Sequence, residues 1–150
     1  MPSYDFKTLS PIDFEILVRD LLQEEMKVRL ESFKSGRDGG IDLRYCPNVN
    51  NTLIIQCKHY AESSFKTLLR ELKKDEIEKV IKLKPKRYIL ATSLGLTPNQ
   101  KDELVKIHTP YIHSSADIFG KEDLNGLLIK YPKIERNTFK LWFSSVPVLE

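Results

Sequence analysis

The chain has 150 residues, 41% of them hydrophobic, a net charge of +3 and two cysteines. This is enough apolar material for one compact domain with its own core, without disulfides or a structural metal to staple it. No apolar run is long enough to span a bilayer, and the opening MPSYDFKTLS lacks the core of a signal peptide, so a cytoplasmic protein with no membrane segment is expected.

The first predicted helix starts at Ser10 as N-cap, with Pro11 at its first position and Asp13 three residues after the cap, an acidic capping box. It runs to about Met26 with an apolar stripe of Phe14, Leu17, Val18, Leu21 and Leu22. Glu15 falls at the edge of that stripe and is expected to look inward, toward the sheet. Val28 to Phe33 reads as a strand.

The segment GRDGGIDLRY, from Gly36 to Tyr45, is followed by CPNVNN and then LIIQCKHY, from Leu53 to Tyr60. Pro47 and three asparagines are turn formers, so an antiparallel hairpin is predicted with Cys46 paired to Thr52. That register sets Asp42 opposite Gln56. Because side chains alternate faces along a strand, Gln56 and Lys58 share one face, and Cys46 and Cys57 lie on opposite faces, too far apart for a disulfide. Both thiols are expected to be reduced. Gly36, Gly39 and Gly40 crowd the approach to Asp42, where a phosphate could come close to the backbone.

Phe65, Leu68, Leu69 and Leu72 have helical spacing, and a second phase follows at Ile77, Val80 and Ile81. The offset between them predicts a break or kink at Lys73 to Glu76, with Asp75 as the next cap, and Pro85 ends the region. Arg87 to Ala91 suits a buried strand. Thr97-Pro98-Asn99-Gln100 is a second capping box, opening a helix through about His108 that Pro110 stops. Tyr111 to Ile118 is ambiguous, with room for one more edge strand, and Lys121 to Tyr131 is helical. A strand meander, then a helix and another strand, gives an α/β architecture: a mixed sheet flanked by helices.

Charge is uneven along the chain. Lys58 to Arg87 carries ten Lys/Arg against five Asp/Glu, a balance of +5 that leaves −2 for the remainder. Such a segment suits a phosphate backbone, and it equally suits a solvated helix surface. His108 and His113 lack partners at metal or catalytic spacing and read as structural.

Three segments in order, the LSPIDFEILVRDLL helix, the Gly36 to Asp42 run GRDGGID and the Gln56-Cys57-Lys58 triplet, resemble the Mrr-type branch of the PD-(D/E)xK nuclease superfamily. The resemblance extends to about Ser93 and implies a restriction-endonuclease-like fold and Mg²⁺-dependent hydrolysis of DNA, with Mn²⁺ able to substitute. Gln56 stands where the superfamily's name has Asp or Glu, a substitution usual in the Mrr branch. The implied catalytic set is Asp42, Gln56, Lys58 and Glu15. The implied metal ligands are Asp42, Gln56, the backbone carbonyl of Cys57, and Glu15 from the helix side. Arg37, Gly39, Gly40, His59, Tyr60 and Lys66 are candidates to meet nucleic acid, by default double-stranded DNA.

Each role has a plainer alternative. Asp42 can act as a turn or strand-edge carboxylate, Gln56 as a polar strand residue bonded to Asp42, Lys58 and Glu15 as surface charges, and Arg37, His59 and Tyr60 as ordinary packing. Asp38 is expected to cap a turn. Trp142 and Phe143 are expected to close the domain's own core. The tail from Glu135 also resembles the junction that follows nuclease domains in larger STAND-type NTPase defence proteins, so residues from about 132 to 150 are a candidate junction to a further domain. An active form is then expected to be a homo-oligomer in restriction or anti-phage defence. The competing classes are a catalytically inactive nucleic-acid-binding or assembly module of the same fold, and a protein-interaction domain.

Overall fold

The computed structural model describes residues 3–33, 42–48, 50–60 and 64–138, with only the backbone of Asp75. Arg37, Asp38, Gly39, Gly40, Trp142 and Phe143 therefore lie outside the described residues. The elements are α1 (Pro11–Met26), β1 (Glu31–Ser32), β2 (Leu43–Tyr45), β3 (Leu53–Lys58), α2 (Phe65–Glu71), a π turn (Leu72–Glu76), α3 (Ile77–Leu83), β4 (Arg87–Thr92), α4 (Pro98–Ile107), β5 (Ile118–Phe119), α5 (Lys121–Lys130) and α6 (Pro132–Asn137).

The strands form one sheet in the order β1-β2-β3-β4-β5, antiparallel from β1 to β3 and parallel from β3 to β5. Leu43 pairs with Ile55 and Tyr45 with Leu53, the predicted hairpin register, and Cys46 Sγ lies 3.4 Å from Thr52 Oγ1. Both cysteines are free. The central strand β3 is covered on both faces. Leu53 and Ile55 join a core with α1, α5 and the N-terminal Tyr4 and Phe6, whereas Ile54 joins a second core with Leu68, Leu72, Val80, Tyr88 and Leu90. The fold is thus a mixed sheet between two helical layers, the restriction-endonuclease-like α/β arrangement.

The caps of α1 and α4 form where the sequence places them. Ser10 Oγ accepts the N–H of Asp13 at 3.1 Å, and Thr97 and Gln100 exchange both bonds of a capping box. Two expectations need correction. The predicted strand from Val28 to Phe33 shrinks to Glu31–Ser32, because Lys27 turns left-handed after α1 and the N–H of Leu30 donates to the Gln23 side chain, which removes it from the ladder. Only the next two residues pair with the short β2.

Of the break or kink expected at Lys73 to Glu76, with Asp75 as a cap, the break and the cap do not form; the irregularity is a π turn within a continuous helix, in which Leu72 and Ile77 stay in the right-handed region and Ile77 N–H donates to Leu72 C=O. On an α-helix each four-residue step overshoots the turn by about 40°. The wider turn takes up one extra residue and rewinds that drift, so Leu68, Leu72, Glu76 and Val80 are all buried.

Candidate active site

The site forms where β3 ends. Asp42, just before β2, is fixed against that end: its Oδ2 accepts the backbone N–H of Cys57 at 2.7 Å and Nε2 of Gln56 at 2.9 Å. Bonds of this kind to a carboxylate are short and directional. They set the orientation of the Gln56 amide, since the reverse placement would face oxygen to oxygen. Gln56 Oε1 is consequently left buried with no hydrogen-bond partner among the described residues. An acceptor left so costs about 1–3 kcal/mol, and a cation or water would satisfy it.

The Cys57 N–H faces Asp42, while Lys58 C=O faces the other way and accepts from Ser93 N–H at 3.3 Å. By strand alternation the Cys57 carbonyl faces the Asp42 side. The Cys57 thiol is pushed well above its ordinary range by burial first, then by the nearby carboxylates of Asp42 and Glu15. Glu15, half-buried on α1, therefore acts on the same strand end, from the layer opposite α2. Asp42, Gln56 Oε1, the Cys57 carbonyl and Glu15 are all oxygen donors, the type Mg²⁺ prefers, so the residues fit that ion. Among the described residues no three Asp, Glu, His or Cys side chains gather into a metal cluster. A cation here would depend on amide and backbone oxygens, water and substrate phosphate.

Lys58, on the face of Gln56, reaches into the helical layer: its Nζ donates to Glu76 Oε1 at 3.0 Å and lies 3.9 Å from Glu71 Oε2. The Glu76 side chain is only 6% exposed, so this is a nearly buried ion pair. Lys79 adds a second cation 3.6 Å from the same oxygen. Tyr60 OH donates to Glu71 Oε2, and its N–H donates to Ser93 Oγ at 2.8 Å. Burial, then the bond to Glu71, raises the phenol above its usual range. Sequence reasoning missed Glu71 and Glu76. The available signal was the five-residue step from Leu72 to Ile77, which is the span of a π hydrogen bond.

The other candidates are dispersed. His59 stacks on Phe14 with ring centres 4.8 Å apart and has Nε2 2.7 Å from Leu9 C=O, so it ties the strand end to α1. Lys66 is exposed on α2, beside Leu69, Arg70, Lys73 and Lys74 in a shallow groove of about 400 Å³. A separate cleft of about 660 Å³ lies between the C-terminal part of α1 and α6 and contains none of the candidate residues. No described helix is long and apolar enough to cross a membrane.

A sheet with this topology, and an aspartate clamped to the end of a strand that carries a glutamine and a lysine on one face, define a nuclease-like α/β domain. The Mrr catalytic family, described as restriction endonuclease, matches residues 6–112, and the chain belongs to this Mrr-type branch of the PD-(D/E)xK superfamily. It is also 46% identical over 147 residues to a protein of Sinorhizobium fredii (strain NBRC 101917 / NGR234) called "Uncharacterized protein y4cD", a match covering 98% of this chain and 23% of that protein. The chain thus spans about a quarter of that relative's length. No solved structure matches the chain.

Proposed function

We propose that the chain is a Mg²⁺-dependent endonuclease domain that hydrolyses DNA phosphodiester bonds, serving restriction or anti-phage defence as part of a larger, self-associating protein. The observation that carries this reading is the Asp42 clamp, which leaves Gln56 Oε1 buried without a partner among the described residues, beside a carboxylate and a strand-end carbonyl. Family membership supports the reaction class.

Asp42, Gln56 Oε1, the Cys57 carbonyl and Glu15 would hold the cation, which when bound supplies polarisation of the phosphate and a more acidic water. Asp42 keeps its orientation through two donors that leave its charge intact. Gln56 offers a neutral oxygen, one negative charge fewer than an Asp or Glu there, so metal affinity without DNA is weak. Lys58 stabilises charge that develops on the phosphate and orients the attacking water. The cations of the α2 groove, Lys66 among them, supply affinity that is independent of sequence. The relative's greater length is compatible with further domains of the NTPase kind.

The test is cleavage of supercoiled plasmid with Mg²⁺, Mn²⁺ or EDTA, comparing the wild type with Asp42→Ala and Lys58→Ala. Metal-dependent nicking that drops at least about 100-fold in both variants, while salt-sensitive DNA binding persists, is expected. Binding unaffected by metal and by Asp42→Ala, with no cutting under any condition, would establish the inert binding module instead.

A further inference from the structure

We propose that Glu76, carried inward by the π turn and assisted by Glu71, is a positioning residue for Lys58; the proposal rests on the nuclease reading above. A lysine has four rotatable side-chain bonds, so an ammonium needed at one place must be held there. Lys58 Nζ has a single acceptor within hydrogen-bond distance among the described residues, Glu76 Oε1 at 3.0 Å, with Glu71 Oε2 at 3.9 Å. One bond of three fixes the nitrogen and leaves two N–H groups to meet a phosphate oxygen or a water.

The surroundings favour this role over simple charge storage. A buried glutamate is costly unless paired, and a helix under a sheet would ordinarily place an apolar residue at this position, as it does at Leu68, Leu72 and Val80. Here the helix departs from α geometry over Leu72–Glu76, and the residue buried by that departure is the one that meets Lys58. Glu71 is anchored separately by Tyr60 OH, and Tyr60 by Ser93 at the end of β4, so the second carboxylate is itself fixed in place. Lys79, 3.6 Å from Glu76 Oε1, offsets part of the excess negative charge, so Glu76 does not depend on Lys58 alone. Glu76 does not touch the substrate in this arrangement. It acts through the lysine.

The experiment uses the full chain with Glu76→Gln, a change that keeps size and an acceptor oxygen and removes the charge. Two quantities are read: the acylation rate of Lys58 by a water-soluble amine-reactive ester, followed by peptide mass spectrometry, and kcat and KM for plasmid cleavage. Acylation of Lys58 should rise several-fold, and kcat should fall about 10-fold or more with KM within about twofold, the pattern of a displaced group in the reaction step. A merely structural glutamate would instead lower the melting temperature and leave kcat intact below it. Unchanged acylation overturns the positioning role whether or not the wild type cuts, and raised acylation with full kcat overturns it too. A wild type that never cuts overturns the nuclease reading separately, because the acylation result stands without it. Should Glu76→Gln fail to fold, Glu71→Gln, with a more exposed carboxylate, is read for smaller changes in the same directions, and their absence overturns the proposal.

Discussion

His108 is expected to make the domain sensitive to mild acid. It closes α4, is 1% exposed and stacks on Tyr88 with ring centres 4.9 Å apart and planes within 10°. Neither ring nitrogen has a hydrogen-bond partner among the described residues. Burial lowers its pKa from 6.5 to about 4, so the folded protein keeps the ring neutral where the unfolded chain protonates it. Above the unfolded value both states are neutral and nothing is lost. As pH falls from 6.5 toward 4, the unfolded state alone gains a proton and stability declines. Linkage puts the loss at about 2 kcal/mol by pH 5 and about 3 kcal/mol by pH 4. His108→Phe keeps a flat ring against Tyr88 and removes both nitrogens. In urea unfolding at pH 7.5 the variant should be more stable by about 1 kcal/mol, the relief of an unpaired polar group less some overpacking. Between pH 7.5 and pH 5 it should lose about 2 kcal/mol less than the wild type. Equal losses in the two proteins would refute the reasoning, since carboxylates common to both cancel in the comparison.

Two further perturbations test the packing of the fold. Arg87 donates to Asp117 Oδ1 through Nε at 3.1 Å and Nη2 at 2.7 Å, and the Asp117 side chain is 3% exposed, so Arg87→Ala strands a buried carboxylate. Because the arginine is itself 43% exposed, water can partly replace it; a loss of about 2 kcal/mol in urea unfolding is expected, below the full cost of breaking a buried pair. A loss under about 0.5 kcal/mol would mean that the pair contributes as a surface pair does. Leu72→Ala removes a fully buried side chain from the π turn and should cost about 3 kcal/mol, read as a lower urea midpoint at unchanged slope.

Much of the candidate site's placement was legible because its parts are local or governed by simple periods. The turn residues of CPNVNN and the two-residue strand repeat set Asp42 against Gln56 and placed Lys58 on the same face, and the described pairing has that register. Glu15 was legible as a residue at the edge of an apolar stripe, and it is half-buried on α1. The phase shift after Leu72 was visible as well, but an offset by itself does not say whether a helix breaks or widens. The backbone chose the wider turn, which keeps one buried line along the whole helix. His59 shows the complementary limit: a polar residue after the proposed lysine suggests contact with DNA, whereas its stacking on Phe14 depends on how α1 docks.

The sequence by itself determined the caps of α1 and α4, the hairpin register and the identity of the strand-end triplet, because each depends on neighbours a few residues apart. Only the tertiary structure decided that Lys58 meets Glu76 and Glu71, that Gln56 turns its nitrogen to Asp42 and leaves its oxygen buried, and that His108 stacks on Tyr88 with no hydrogen-bond partner among the described residues. Those outcomes require distant segments to pack in one arrangement, and the energy of a buried charge or amide depends on what surrounds it in space rather than on its neighbours along the chain.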